Sequence, residues 1–127
     1  MKLLVVDDSS VIRKVIRAAA DVLQLDTVEA QDGAEALRIL SAQYKEIDLV
    51  LLDWNMPEMS GYDVLVNIKS NEQYKDIPVM MVTTEGQREN IVAAVRAGAD
   101  NYLTKPFTVE ELESKITECI GERSDSQ

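Results

Sequence analysis

A chain of 127 residues makes one domain of ordinary size, able to bury about two-thirds of the surface its unfolded form exposes. Its 13 Lys and Arg against 23 Asp and Glu leave a formal charge of −10, a surface that repels phosphate backbones and anionic headgroups and so argues against direct nucleic-acid or membrane binding. Histidine is absent, which removes the commonest general base and transition-metal ligand, so any metal should be hard and oxygen-bound.

The single cysteine, Cys119, excludes an internal disulfide, and the apolar spacing around it reads as a buried thiol. No cationic stretch leads into an apolar one in the manner of a signal peptide. No apolar run approaches the roughly 20 residues of a membrane span, so the expected location is the cytoplasm.

Taken in order, the chain alternates strand and helix. Leu3-Leu4-Val5-Val6 reads as a buried strand that ends in Asp7-Asp8. Ser9 or Ser10 can cap a helix with Ile12, Val15, Ile16, Ala19, Val22 and Leu23 inward and Arg13, Lys14 and Arg17 facing away. A short strand, Thr27-Val28-Glu29-Ala30, leads to Asp32-Gly33-Ala34-Glu35, a capping-box-like start for a helix with Ala36, Leu37 and Leu40 inward. Leu49-Val50-Leu51-Leu52 is apolar enough for a strand covered on both faces and ends in Asp53; Pro57 and Gly61 then turn the chain back.

The return helix is predicted from about Gly61 to Ser70, with Val64, Leu65 and Ile68 inward. Pro78 leads into Val79-Met80-Met81-Val82, which ends in Thr83-Thr84. From Gln87 to Ala97 a helix carries two apolar aspects, one with Val92 and one with Ile91 and Val95, more than one sheet can cover. Gly98 is its C-cap signal. A last strand, Tyr102-Leu103-Thr104, ends in Lys105-Pro106, and Thr108-Val109-Glu110-Glu111 opens a helix with Leu112, Ile116, Cys119 and Ile120 inward, which Gly121 should stop. One domain over residues 1–121 and a polar tail over 122–127 are expected, with no output domain following.

About five βα units in a row predict an α/β fold with a parallel sheet and helices on both faces. In such a sheet the strand ends share one edge, where ligands bind, so Asp7, Asp8, Asp53, Thr83 and Lys105 should converge there. Carboxylates held together repel one another unless a cation or proton joins them, and Asp7, Asp8 and Asp53 suit Mg2+. A carboxylate oxygen can also attack phosphorus, and for that chemistry a metal, an ammonium such as Lys105 and a hydroxyl such as Thr83 should surround the transferring group.

Asp7-Asp8, Asp53-Trp54-Asn55-Met56-Pro57, Val82-Thr83, Glu89-Asn90-Ile91, Ala97-Gly98-Ala99, Tyr102 and Lys105-Pro106-Phe107 stand in an order that resembles the receiver domains of two-component response regulators, most closely the single-domain chemotaxis regulators. The resemblance implies a flavodoxin-like, doubly wound five-stranded sheet in the order 2-1-3-4-5. It further implies that Asp53 accepts a phosphoryl group. Mg2+ would be bound by Asp8, Asp53 and the Asn55 backbone carbonyl, with Asp7 acting through water. Thr83 and Lys105 would hold the phosphoryl oxygens, and Tyr102 would be an aromatic switch. Asn55 and Glu85 would tune dephosphorylation, and Lys105-Pro106 would be cis.

Output is expected from the face of helix four, strand five and helix five, including Ile91, Val95, Tyr102 and Lys115. The expected partners of a monomeric signalling switch are a histidine kinase of the chemotaxis type, a flagellar motor switch protein or other output protein, and a phosphatase. A stand-alone receiver of another phosphorelay would look the same. A flavodoxin-type electron carrier is disfavoured because Asp7-Asp8-Ser9-Ser10 would repel a phosphate without a metal. A dehalogenase-type aspartyl phosphatase is disfavoured because Asn55 stands where that class has a second Asp. A receiver-like module that is never phosphorylated would have no need of the acceptor set.

Overall fold

A computed structural model describes residues 1–84 and 88–125, with side chains described as far as residue 121. Its elements are β1 (Lys2–Val6), α1 (Ser10–Val22), β2 (Asp26–Ala30), α2 (Gly33–Gln43), a 3-10 turn (Tyr44–Glu46), β3 (Leu49–Asp53), α3 (Gly61–Ser70), β4 (Val79–Thr84), α4 (Arg88–Arg96), β5 (Asn101–Lys105) and α5 (Val109–Asp125). The sheet is parallel throughout, in the order β2-β1-β3-β4-β5.

Alternation along the strands sorts the core into two layers, because successive side chains point to opposite faces. Leu4, Val6, Val50, Leu52, Val79 and Met81 pack with Ala36 and Leu40 of α2, Val64, Leu65 and Ile68 of α3 and Ala94 of α4. Leu3, Val5, Leu49, Leu51, Met80 and Leu103 pack with Ile16, Ala19 and Ala20 of α1 and Leu112, Ile116 and Cys119 of α5. The order reverses at β1, whose neighbours lead to opposite edges of the sheet, and the crevice beyond its carboxyl end is the place for a ligand.

Helix starts follow the side chains present. The Ser9 hydroxyl accepts from the Ile12 N–H and the Asp32 carboxylate from the Glu35 N–H. Ser60 and Asp63 form a full capping box at α3, and Thr108 and Glu111 form one at α5. Gly98 adopts φ +104°, the left-handed conformation that closes α4. Lys105-Pro106 is cis, as expected.

Three sequence expectations are corrected. Val22, assigned to the inner face of α1, is 70% exposed, while Ala20 is buried in its place. Arg13 does not face away: its guanidinium turns back to the end of β1. Gly121 does not stop α5, which runs on to Asp125; one glycine costs a helix only about 1 kcal/mol, and good helix formers follow it.

Candidate functional site

β3 ends in one carboxylate, Asp53, at the sheet's carboxyl edge, and the loop directly after β1 delivers two more, Asp7 and Asp8. Asp7 and Asp53 are buried and Asp8 is exposed. One carboxylate oxygen from each lies within 4.8 Å of the others. The Lys105 ammonium, at the end of β5, donates to Asp7 Oδ2 and Asp53 Oδ1, both at 3.2 Å. Asp7 Oδ1 accepts from the Ser9 N–H at 2.8 Å, which ties the first carboxylate to the cap of α1.

Burial first, and then the charge of Asp7, push Asp53 up from 3.8 to about 6 against the pull of Lys105. Burial works against the Lys105 charge, but Asp53 and Asp7 outweigh it and hold the ammonium above the ordinary lysine range. A carboxylate raised in the folded state destabilises the fold above about pH 6, and that cost disappears as pH falls toward 3.8. In a chelator at pH 7.5, Asp53→Asn is therefore expected to raise stability by about 1–3 kcal/mol. The gain should shrink through pH 6 and nearly vanish at pH 4. Urea unfolding checks this, and a variant no more stable than the parent at pH 7.5 contradicts it.

β4 brings the hydroxyl. Thr83 sits within the strand and directly follows Val82, which pairs with Asp53. Its Oγ1 is the single buried side-chain oxygen or nitrogen among the described residues that has no hydrogen-bond partner. Such a group costs about 1–3 kcal/mol, so an acceptor or donor arriving at the site would relieve it. Thr83→Val should accordingly stabilise the resting protein by about 1 kcal/mol in thermal or urea unfolding. A loss of stability would show that the hydroxyl is already satisfied.

Three carboxylates and one ammonium sum to a formal −2, the charge one divalent ion would balance, and an all-oxygen set suits a hard cation. The cluster can therefore coordinate a metal. The Asn55 side chain is exposed and donates to Thr84 Oγ1 at 3.4 Å. Glu85 lies outside the described residues.

A family model described as the response regulator receiver domain matches residues 3–117. The chain belongs to the response-regulator receiver family. This receiver is 41% identical over 122 residues to the chemotaxis protein CheY homolog of Campylobacter jejuni, covering 95% of this chain and 93% of that one. It is 43% identical over 124 residues to the chemotaxis protein CheY of Pseudomonas aeruginosa, covering 97% and 98%. Among solved structures it resembles Vibrio cholerae CheY4, with a TM-score of 0.83, 34% identity and coverage of 93% and 97%. It also resembles a response regulator receiver domain protein from Clostridium thermocellum, with a TM-score of 0.89, 32% identity and coverage of 99% and 98%.

The receiver is thus a component of two-component signalling, and its chemistry is its own phosphorylation and dephosphorylation rather than turnover of a separate substrate. Its predicted output residues lie on α4, β5 and α5. Tyr102 on β5 is 39% exposed, with the Lys115 ammonium 5.2 Å from its ring centroid. Lys115 also donates to the Asn101 side chain, so β5 and α5 are joined at this point. Val95 on α4 is 57% exposed and Ile91 is half-buried. No helix among the described residues is long and apolar enough to cross a membrane.

Sequence reasoning missed Arg13 at this site. The signal was its position one turn into α1, directly after the two carboxylates, with Glu29 available on the neighbouring strand.

Proposed function

We propose that this receiver accepts a phosphoryl group on Asp53 from a histidine kinase of the chemotaxis type, with Mg2+, and passes the signal to a flagellar motor switch protein through the α4-β5-α5 face. The observation that carries the reading is the buried Asp53 carboxylate, held by Lys105 within a three-carboxylate cluster, with the uncommitted Thr83 hydroxyl on the next strand. Chemotaxis proteins of similar length and sequence support the choice of pathway.

An Asp53 oxygen attacks phosphorus in the donor, forming an acyl phosphate as the bond from phosphorus to the donor atom breaks. Lys105 offers its ammonium, and Thr83 its hydroxyl, to the oxygens on which negative charge accumulates. Asp8, Asp53 and the Asn55 backbone carbonyl would hold Mg2+, with Asp7 acting through a water. When bound, the ion supplies charge neutralisation to the transferring group. Asn55 and Glu85 are assigned to the path of the water that later hydrolyses the acyl phosphate.

Output follows from the same hydroxyl. Thr83 pairs with Thr104 and Met81 with Tyr102, which puts Thr83 and Tyr102 on the face of the sheet that α4 covers. Thr83 moving toward a phosphoryl oxygen leaves room for the half-exposed Tyr102 ring to turn inward. A bias of about 1–3 kcal/mol on that equilibrium changes partner affinity by roughly 5- to 150-fold.

Titration of the motor switch protein against the receiver, with and without beryllofluoride as a stable phosphoryl mimic, tests the reading. The mimic should tighten binding at least about 5-fold, and Tyr102→Ala, Ile91→Ala or Thr83→Val should remove most of that gain, the buried Thr83 variant alone leaving the resting affinity within about 2-fold. No tightening by the mimic contradicts the assigned partner. A gain that survives all three substitutions contradicts the face and the switch.

A further inference from the structure

We infer that Arg13 is a positioning residue of the phosphoryl-transfer site, fixing the peptide between Asp7 and Asp8 so that the Asp8 carboxylate faces the cation and the Asp7 carboxylate reaches it through a water; this rests on the metal-assisted reading above. The ladder between β1 and β2 ends at the pair Val6 and Ala30, after which the Asp7 N–H donates to the Ala30 carbonyl. The Asp7 carbonyl lies just beyond this register. Arg13 Nη1 donates to it at 2.6 Å.

The other side of the guanidinium is fixed as well. Arg13 Nε donates to Glu29 Oε1 at 3.2 Å, and the second oxygen of Glu29 accepts from Arg17 Nη1 at 3.1 Å. Glu29 belongs to β2, so the sheet itself sets the angle at which Arg13 meets the Asp7 carbonyl. The Arg13 side chain is 16% exposed, sheltered enough that charge-assisted hydrogen bonds on two sides of a rigid planar fork hold better than a surface ion pair.

The carbonyl held in this way belongs to the peptide unit that joins the two acidic residues. A peptide is planar, so fixing its oxygen restricts the directions in which the chain leaves toward the Asp7 and Asp8 side chains. Asp7 has further anchors in the Ser9 N–H and Lys105. Asp8 is exposed, and its direction depends more on the backbone that carries it.

Charge and position predict opposite signs for loss of Arg13. A guanidinium near the cluster repels a divalent cation, so if Arg13 acted only through its charge, Arg13→Ala would tighten Mg2+ binding. Removing a group that orients metal ligands instead weakens binding, by roughly 10-fold. Lysine keeps the charge and loses the fork, so Arg13→Lys should behave like the alanine variant.

Calorimetric titration of the full chain with Mg2+ at pH 7.5 separates these cases. Arg13→Ala and Arg13→Lys are expected to raise the Mg2+ Kd about 10-fold, and Glu29→Gln about 2- to 5-fold in the same direction. Arg17→Ala, which touches Glu29 and not Asp7, should change it less than about 2-fold. At Mg2+ levels that saturate each variant, phosphoryl uptake from acetyl phosphate should return to within about 3-fold of the parent. A purely structural role would lower the unfolding midpoint and leave the Kd of the folded fraction unchanged, and that result overturns the proposal. So does an Arg13→Ala variant that binds Mg2+ as tightly as the parent or tighter. Should Arg13→Ala fail to fold, Arg13→Lys and Glu29→Gln decide, and an unchanged Kd in both overturns the proposal. A parent protein that binds no Mg2+ would remove the metal reading itself, and the proposal with it, a result distinct from a variant that matches a binding parent.

Discussion

Replacing Gly61 by alanine is expected to destabilise the protein by on the order of 3–5 kcal/mol, at the upper end of what a single added methyl does in a packed region. A β-carbon built at Gly61 would overlap the Asp53 carbonyl oxygen and lie 2.9 Å from the Trp54 Cα. Both neighbours are backbone, so no rotamer change can give way. Either the start of α3 must move off the sheet or the end of β3 must shift, and the second displaces Asp53. The Gly61 N–H donates to the Trp54 carbonyl at 2.9 Å, which holds the two segments at that separation. Gly33 makes the useful contrast: its added β-carbon would meet side chains rather than backbone, the flexible Met59, which can turn aside, and a methyl of the stiffer Val64, so the cost should be lower. Urea unfolding should rank Gly61→Ala well below Gly33→Ala, and a loss under about 1 kcal/mol at Gly61 would contradict the steric account. The surviving folded fraction of Gly61→Ala should also bind Mg2+ more weakly.

The strands and their functional ends were legible because a sheet covered on both faces needs unbroken apolar runs, and in this chain each such run stops at a polar residue. Asp7, Asp53, Thr83 and Lys105 could be placed at one edge without knowing the strand order, since parallel strands share a direction. Resemblance added the order itself, which apolar runs alone do not encode. What failed has physical causes. Periodicity placed Val22 inward, but the covered stripe of α1 runs through Ile16, Ala19 and Ala20, with Leu23 beyond, and Val22 falls off the edge of that stripe into solvent. The nearby Ala20 was overlooked because a small residue contributes little to an apolar pattern, yet helices approach a sheet closely through such residues.

Arg13 was read as solvated because charge predicts exposure on average, whereas its partners are a backbone carbonyl and a carboxylate on β2 that come near only in the fold. Tyr74 and Ile77 are buried in the connection between α3 and β4, a stretch to which the sequence pattern assigns no inward residue. The orphaned Thr83 hydroxyl could not be read at all, since the absence of a partner is a property of the packed site.

Removing the divalent cation is expected to slow phosphoryl uptake by about 100-fold or more, because Lys105 alone cannot offset both the cluster and an incoming phosphoryl group. Lys105→Met should cost roughly 10- to 100-fold even with Mg2+ present, since it removes the cation that bridges Asp7 and Asp53. These losses differ in kind from that at Asp53, where the atom that forms the new bond is itself replaced. Intact-mass spectrometry of the full chain, incubated with acetyl phosphate and Mg2+, measures this directly. The expected result is one added phosphoryl group on the parent protein, none on Asp53→Asn, and little on the parent when a chelator replaces the metal. Equal uptake by the parent and Asp53→Asn would place the acceptor elsewhere and contradict the central claim.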